Sequence, residues 1–272
     1  MADKALRLGA IGAGNMATAL MGGIVRARLA AAQDCLASDI KAEARETFEK
    51  ATGVRATGDS QGVLRRCDVI LLAVKPQNMA EALAALKPCA EARHLFISIA
   101  AGVTTAFIEK ALDGQARVVR VMPNTPALLG AGAAAIAPGA HSTRDDLALA
   151  LRLMNAVGIA VEVAEADMDA VTALSGSGPA YFFYFVEQLI AAGVAQGLAP
   201  DVAEKLAKQT ALGAARMLNE CLETPERLRI AVTSPGGTTE VALKAFAEGG
   251  FPALVQRAVK AATDRGRELG NR

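Results

Sequence analysis

From the amino terminus to about residue 165, short runs of β-branched and aliphatic residues alternate with longer amphipathic stretches. The runs LRLGAIG, DCLASD, CDVILLAV, HLFISIA, ARVVRVM, GAAAIA and IAVEV are the predicted strands. Regular alternation of strand and helix predicts a parallel, doubly wound sheet. Val69-Ile70-Leu71-Leu72-Ala73-Val74 has no polar face, as expected of a strand covered by helices on both sides.

Beyond Ala166 the strand pattern stops and helical periodicity takes over. Helices are predicted over Asp167 to Gly197, Pro200 to Glu223, and Glu240 to Gly270, the last with a break at Gly249-Gly250-Phe251-Pro252. Asp201 behind Pro200, and Thr224 before Pro225-Glu226, have the form of helix starts with a capping side chain and an early proline. Tyr181, Phe182, Phe183, Tyr184 and Phe185 are half of all the aromatic residues, which number 2 Tyr and 8 Phe with no Trp. A helix through them is apolar on every side, so its own domain wraps it or a second subunit covers it. With only residues 166–272 left to do the wrapping, the expectation is a homodimer.

Length and composition narrow the functional classes. A chain of 272 residues accommodates two domains, and a hydrophobic content of 52% supports a sizeable core. Lys and Arg total 29 against 28 Asp and Glu, so no excess of positive charge draws nucleic acid. A small molecule or another protein is the expected partner. The start MADKALRLGAIGAGNMA has no signal-peptide form. Ala180 to Val186 meets Glu187 and Gln188 well short of the ~20 residues that span a bilayer, so no membrane association is expected. The four cysteines, Cys35, Cys67, Cys89 and Cys221, lack zinc-site spacing and suit a reducing, cytoplasmic setting. Cys35, Cys67 and Cys221 read as small apolar residues in or beside core stretches.

The candidate chemistry begins at Gly12-Ala13-Gly14-Asn15-Met16-Ala17, which follows a predicted strand and opens a helix. In that context Gly-x-Gly-x-x-Ala is a dinucleotide fingerprint. The first glycine permits the tight turn, the second admits a pyrophosphate to the backbone, and the small third residue packs helix on strand. The amides at the helix start hold the phosphates. Asp39, ending the second strand, stands where an acid grips the adenine ribose of NAD, while Ser38 and Lys41 could receive a 2′-phosphate instead. An Asp39 that merely caps the next helix is nearly as good a reading. Ala73-Val74-Lys75-Pro76-Gln77, Ala100-Ala101-Gly102-Val103 and Met122-Pro123-Asn124-Thr125-Pro126 are further strand-end loops able to line one cofactor. Pro76 also suits the first turn of a helix after Lys75.

Other chemistries lack their residues. Neither His94 nor His141 has a carboxylate or second histidine at metal-ligand spacing, so no metal site and no histidine acid is expected. Ser175-Gly176-Ser177-Gly178-Pro179 lacks the strand-borne elbow of a serine hydrolase and is expected to shape the entry to the aromatic helix. Hydride transfer to an already electrophilic acceptor, such as a protonated imine, needs no histidine.

The glycine turn, Ala73-Val74-Lys75-Pro76-Gln77, Arg120-Val121-Met122-Pro123-Asn124-Thr125-Pro126, Ser175-Gly176-Ser177-Gly178-Pro179-Ala180-Tyr181 and Thr233-Ser234-Pro235-Gly236-Gly237-Thr238-Thr239-Glu240 occur in order along nearly the whole chain. Together they resemble pyrroline-5-carboxylate reductase, the last motif being the most specific. The resemblance implies an α/β fold: an N-terminal Rossmann-like doubly wound parallel sheet (1–165) followed by an all-helical substrate-binding and dimerisation domain (166–272). It implies hydride transfer from NADPH or NADH to the C=N carbon of 1-pyrroline-5-carboxylate, giving L-proline, the final step of proline biosynthesis. It also implies a homodimer, and a decamer of five dimers.

By the same resemblance the cofactor is held at Gly12, Ala13, Gly14, Asn15 and Met16, near Ser38, Asp39 and Ser60, and at Ala73, Val74, Lys75, Pro76, Ala100, Ala101 and Gly102. Substrate is held by Ser234, Gly237, Thr238 and Thr239, with Glu165 close by. Two positions depart from the family pattern. NADPH-preferring members often carry an asparagine-arginine type pair where this chain has Asp39-Ile40, and some have an asparagine where it has Ala231. From the residues themselves, Gly236 and Gly237 are expected to present consecutive N–H groups as a carboxylate cradle. Thr239 is expected to hydrogen-bond the ring nitrogen, as the catalytic contact. A β-hydroxyacid dehydrogenase is the rival enzyme, with Lys205, Lys208, Lys244 or Lys260 as its catalytic lysine, although none has the expected asparagine-rich surroundings. A non-catalytic dinucleotide sensor is the rival of another class.

Overall fold

The computed structural model describes residues 5–270. Among these, 5–177 and 262–270 form one compact unit and 178–261 a second. The first is built from β1 (Leu8–Ile11), α1 (Asn15–Arg26), β2 (Leu36–Ser38), α2 (Ala42–Thr52), β3 (Ala56–Thr57), α3 (Ser60–Arg66) and β4 (Val69–Leu72). It continues with α4 (Met79–Leu86), β5 (Leu95–Ser98), α5 (Thr105–Ala111), β6 (Arg117–Met122), β7 (Gly132–Pro138), α6 (Arg144–Met154) and β8 (Gly158–Glu162). Every predicted strand is present.

The eight strands run in the order β3-β2-β1-β4-β5-β6-β7-β8. All neighbours are parallel except β6 and β7. That exception has a simple cause: only 123–131 separates the two strands, too short for the crossover a parallel pair needs. Two-residue β3 escapes sequence reading because it has no apolar run. Ile11 pairs with Ser38 and Leu72, and Leu72 with Ser98, so β1, β2, β4 and β5 end level with one another. Their following loops therefore gather along one edge, where open α/β sheets bind ligands.

Helices cover both faces. Leu20, Met21, Phe48 and Leu153 fill one layer; Leu64, Leu83, Leu86 and Ile108 fill the other. At the amino ends of the strands, Asp68 accepts from Arg7 at 2.9 and 2.7 Å and from Arg93 at 2.7 Å. Buried His94 accepts the Glu91 N–H on Nδ1 and donates from Nε2 to the Leu64 carbonyl, both at 2.9 Å. Burial lowers its pKa from the ordinary histidine value, so the ring is kept neutral.

The long helix predicted from Asp167 is interrupted. It begins as α7 (Met168–Val171) and widens into a π-helical turn over Thr172–Gly176, with Ser177 N–H donating to Thr172 O at 2.8 Å. Only then does α8 (Gly178–Ala195) start. Pro179, which lacks an N–H, and the glycines at 176 and 178 explain why no continuous helix forms.

In the second unit α8 is followed by α9 (Pro200–Glu220), α10 (Pro225–Ala231), α11 (Thr238–Glu248) and the start of α12 (Phe251–Gly270). Thr224 caps α10 as predicted, its Oγ1 accepting from Arg227 N–H at 3.3 Å. Asp201 does not cap α9. With Pro200 in the first turn, Ala199 becomes the N-cap, and Asp201 pairs instead with Lys205 at 3.4 Å. Phe185, Phe246 and Phe251 make this unit's own aromatic cluster, with ring centroids 5.6–6.4 Å apart. Cys221 is exposed rather than packed, since it falls just past the end of α9.

Candidate functional site

The glycine turn is forced by its surroundings. Gly12 has φ +99°, and a Cβ there would stand 2.7 Å from the Ala73 carbonyl oxygen. Its N–H donates to Ser38 O at 2.7 Å, which binds the turn to the end of β2. Gly14 is the N-cap of α1 with no side-chain cap, and a Cβ there would meet nothing within 4 Å. The amides of Asn15 and Met16 therefore face open space at the positive end of a 12-residue helix. Ala17 is fully buried between helix and strand, as the fingerprint requires. These residues fit the pyrophosphate of a dinucleotide.

A cleft of about 300 Å³ opens beside this turn. Met16, Ala73, Val74, Lys75, Pro76, Ala100 and Ala101 line it, as do Met122, Pro123, Asn124 and Thr125. The three strand-end loops thus line one cavity. It lies on the β4-β5-β6 side of β1, the half of such a sheet that takes the nicotinamide end. Gly102, just beyond, has φ +75°. Gly176 of the π-helical turn also lines the cleft, a role beyond the helix entry expected of it. Asn124 fixes that wall, donating to Ser175 O at 3.0 Å and accepting from Ala133 N–H at 2.9 Å. The π-helical turn is legible only in three dimensions.

On the other side of β1, Asp39 does not cap α2, whose N-cap is Lys41 without any side-chain bond. Its carboxylate accepts from Ala13 N–H and Lys41 N–H, each at 2.9 Å. Ser60 is the first residue of α3, capped by Asp59, at the end of β3.

In the helical unit, Thr233–Glu240 closes one helix and opens the next. Thr233 Oγ1 donates to Arg229 O at 2.7 Å, ending α10. Gly236 has φ +72°, and a Cβ on Gly237 would stand 2.6 Å from Ser234 Oγ. The two glycine amides are both used internally: Gly236 N–H donates to Glu240 Oε2 at 2.8 Å, and Gly237 N–H to Ser234 O at 3.0 Å. The glycines therefore shape the turn rather than present their own N–H groups. The amides left without helical acceptors are those of Thr238, Thr239 and Glu240, at the start of an 11-residue helix. Ser234 Oγ and the half-buried Thr239 hydroxyl belong to the same turn.

Residues 165–269 match the family model for pyrroline-5-carboxylate reductase dimerisation, and 7–102 the model for NADP oxidoreductase, coenzyme F420-dependent. The pyrroline-5-carboxylate reductase of Methanosarcina acetivorans is 42% identical over 266 residues, 98% of each chain. The chain belongs to the pyrroline-5-carboxylate reductase family. Its structure superposes on that of the Coxiella burnetii reductase with a TM-score of 0.92 at 38% identity, covering 98% of this chain and 99% of the other. The Plasmodium falciparum pyrroline carboxylate reductase, solved with NADP bound, gives 0.86 at 32%, covering 97% and 98%. Like other members, the chain is an oxidoreductase using NAD(P)H, with a helical dimerisation region.

The remaining candidate residues sort themselves within this reductase. Glu165 has both carboxylate oxygens engaged: Thr105 donates N–H at 2.8 Å and Oγ1–H at 2.7 Å, and buried Arg120 approaches to 3.4 Å. Of the dehydrogenase lysines, Lys205, Lys208 and Lys244 are exposed and paired on their own helices with Asp201, Glu204 and Glu248. The Cys35 and Cys67 thiols are pushed up to about 11 by burial, which leaves them protonated and inert at neutral pH. No cluster of potential metal ligands occurs among the described residues, and no helix there is long and apolar enough to cross a membrane.

Proposed function

We propose that this chain reduces 1-pyrroline-5-carboxylate to L-proline, with the substrate held at Ser234–Thr239 and the dinucleotide at the glycine turn and its neighbouring loops. The observation that carries the reading is the Thr233–Glu240 turn, a helix start whose first amides have no helical acceptor and no side-chain cap, with the Ser234, Thr238 and Thr239 hydroxyls beside them. A small ring with one carboxylate and one imine nitrogen matches those donors. The carboxylate accepts from Thr238 N–H, Thr239 N–H and Ser234 Oγ–H, favoured by the helix dipole. Gly236 and Gly237 hold the turn in shape. The Thr239 hydroxyl bonds the ring nitrogen and orients the C=N carbon; as a weak acid it positions rather than protonates.

Gly12, Ala13, Gly14, Asn15 and Met16 hold the pyrophosphate, and Ser38, Asp39 and Ser60 surround the adenine ribose. Ala73, Val74, Lys75, Pro76, Ala100, Ala101 and Gly102 line the nicotinamide half. NAD(P)H, when bound, supplies the hydride. Glu165 serves here through Thr105 and Arg120, anchoring the start of α5, the helix that follows the Ala100–Gly102 loop.

In this reading residues 1–165 form the nucleotide domain and 166–272 the substrate and dimer domain. The active form is a homodimer, assembled further into a decamer of five dimers, and it works in the cytoplasm. Exposed Phe182, Phe183 and Tyr184 on α8 support the dimer, and thiols without a disulfide suit the compartment. The test is purified protein with 1-pyrroline-5-carboxylate and each reduced nucleotide in turn. Loss of nicotinamide absorbance with at least one supports the reading; oxidation of neither overturns it.

A further inference from the structure

We propose that the Asp39 carboxylate selects the cofactor, so that this reductase uses NADH in preference to NADPH. The inference rests on the nucleotide site argued above and adds a residue-level choice to it. Asp39 immediately follows β2, whose last residue pairs with Ile11 and accepts the Gly12 N–H at 2.7 Å. Its Oδ2 accepts from Ala13 N–H and its Oδ1 from Lys41 N–H, both at 2.9 Å. A negative charge is thereby fixed against the phosphate-binding turn itself, on the β1-β2-β3 side where the adenosine half lies.

Each carboxylate oxygen has accepted one hydrogen bond and keeps capacity for another. A ribose 2′-hydroxyl is a donor and fills that capacity. A 2′-phosphate is acceptor-rich and carries roughly −1.5 to −2 charge at neutral pH, so it meets a like charge that cannot swing away.

Two cations, Arg45 and Lys41, stand near Asp39, and neither bonds its carboxylate through its side chain. The Arg45 guanidinium donates to the Asp39 main-chain carbonyl at 2.8 Å and reaches to 3.9 Å from where a Gly58 Cβ would stand. That bond uses one of its five N–H donors and sets the guanidinium beside the Asp39 main chain. Lys41 is exposed, its backbone N–H turned to Asp39. A solvated ammonium there is screened far more than the fixed carboxylate. Ile40, between them, is almost fully exposed and adds no donor.

The test is direct binding to the full-length protein, read by calorimetry or nicotinamide fluorescence, with NADH, NADPH and two adenine-end probes, ADP and 2′,5′-ADP. NADH and ADP should bind at least about tenfold more tightly than their 2′-phosphorylated counterparts. Asp39→Asn removes the charge while keeping an acceptor for Ala13 N–H. It should narrow the NADH:NADPH ratio to about threefold or less, mainly by tighter NADPH binding, with the ratio of kcat/KM values moving in step. NADPH and 2′,5′-ADP binding as tightly as NADH and ADP to the unaltered protein would overturn the proposal. So would an unchanged ratio in a folded Asp39→Asn variant. Should that variant fail to fold, the two adenine-end probes on the unaltered protein decide alone. Binding of no nucleotide at all would instead overturn the nucleotide site as well, which separates the two failures.

Discussion

The sheet unit and the helical unit treat their apolar residues in opposite ways. In the sheet unit Leu20, Phe48, Ile70, Leu83 and Phe96 are at most 1% exposed, closed off by helices of the same chain on both faces. In the helical unit Phe182 is 71% exposed and Phe183 69%, with Leu206, Leu212, Val241 and Leu254 also open. An apolar surface of that extent belongs to an interface. We expect the unit with the proposed nucleotide residues to be largely complete within one chain, and the helical unit, which matches a dimerisation model, to be completed by association with further copies. The helical unit's only buried residues are Gly178 and Ala203. Its stability and activity should therefore depend on protein concentration, and nucleotide binding should not.

Gly12→Ala strikes the sheet unit hardest. A left-handed φ and a Cβ 2.7 Å from a carbonyl oxygen cannot both be relieved without moving β1 or the loop after β4. We expect a loss of about 2–4 kcal/mol in stability and of nucleotide affinity by at least about 100-fold, read by thermal denaturation and calorimetry. The dimer should persist.

The complementary change is Phe182→Glu with Phe183→Glu. Charging two exposed aromatics should raise the dimer dissociation constant by about 100-fold or more, seen by sedimentation at micromolar protein. Nucleotide binding by the sheet unit should survive within about threefold. If the doubly substituted protein stays dimeric, α8 is not the interface and the contrast between the units fails.

Thr239→Val probes the substrate turn alone. Losing one hydrogen bond to the ring nitrogen should cost about 1–3 kcal/mol in kcat/KM, with nucleotide affinity unaltered. Unchanged kinetics would remove Thr239 from the chemistry.

Acid should act first on the sheet unit, through His94. Its folded-state pKa is lowered by burial, so both states are neutral above the ordinary value near 6.5 and stability there is full. Below that value the unfolded chain takes up the proton first, and stability falls by up to about 1.4 kcal/mol per pH unit until the folded pKa is passed. His94→Gln should flatten this part of the pH–stability curve. The smallest effect is expected from Lys205→Ala: a surface i,i+4 pair contributes about 0.3–0.5 kcal/mol, and kcat should not change. A collapse in kcat would instead favour the dehydrogenase reading.

How much of this is legible in the sequence follows the same division. Every long strand of the sheet is readable because continuous apolar runs bounded by glycine and polar residues have few other solutions. The turn is readable at Gly12, where only glycine fits the left-handed backbone and the close Ala73 carbonyl. What escapes is cooperative or local. Residues 56–57 pair only because β2 lies beside them, and β7 is antiparallel only because the link before it is short. The π-helical turn puts Gly176 into the cleft through Asn124, a contact spanning 51 positions. The glycine amides of the Thr233–Glu240 turn look free in sequence and are not, since Gly236 N–H donates to Glu240 and Gly237 N–H to the Ser234 carbonyl. Cys221 shows the limit of apolar context as a guide, because its helix ends one residue before it.

This chain moves a hydride to the imine carbon of 1-pyrroline-5-carboxylate. Reduction with nicotinamide cofactor deuterated at the transferred position, followed by mass spectrometry and NMR of the product, tests it most directly. The L-proline formed should carry one deuterium on the ring carbon that had been double-bonded to nitrogen. Unlabelled proline, label at another carbon, or no proline at all would contradict it.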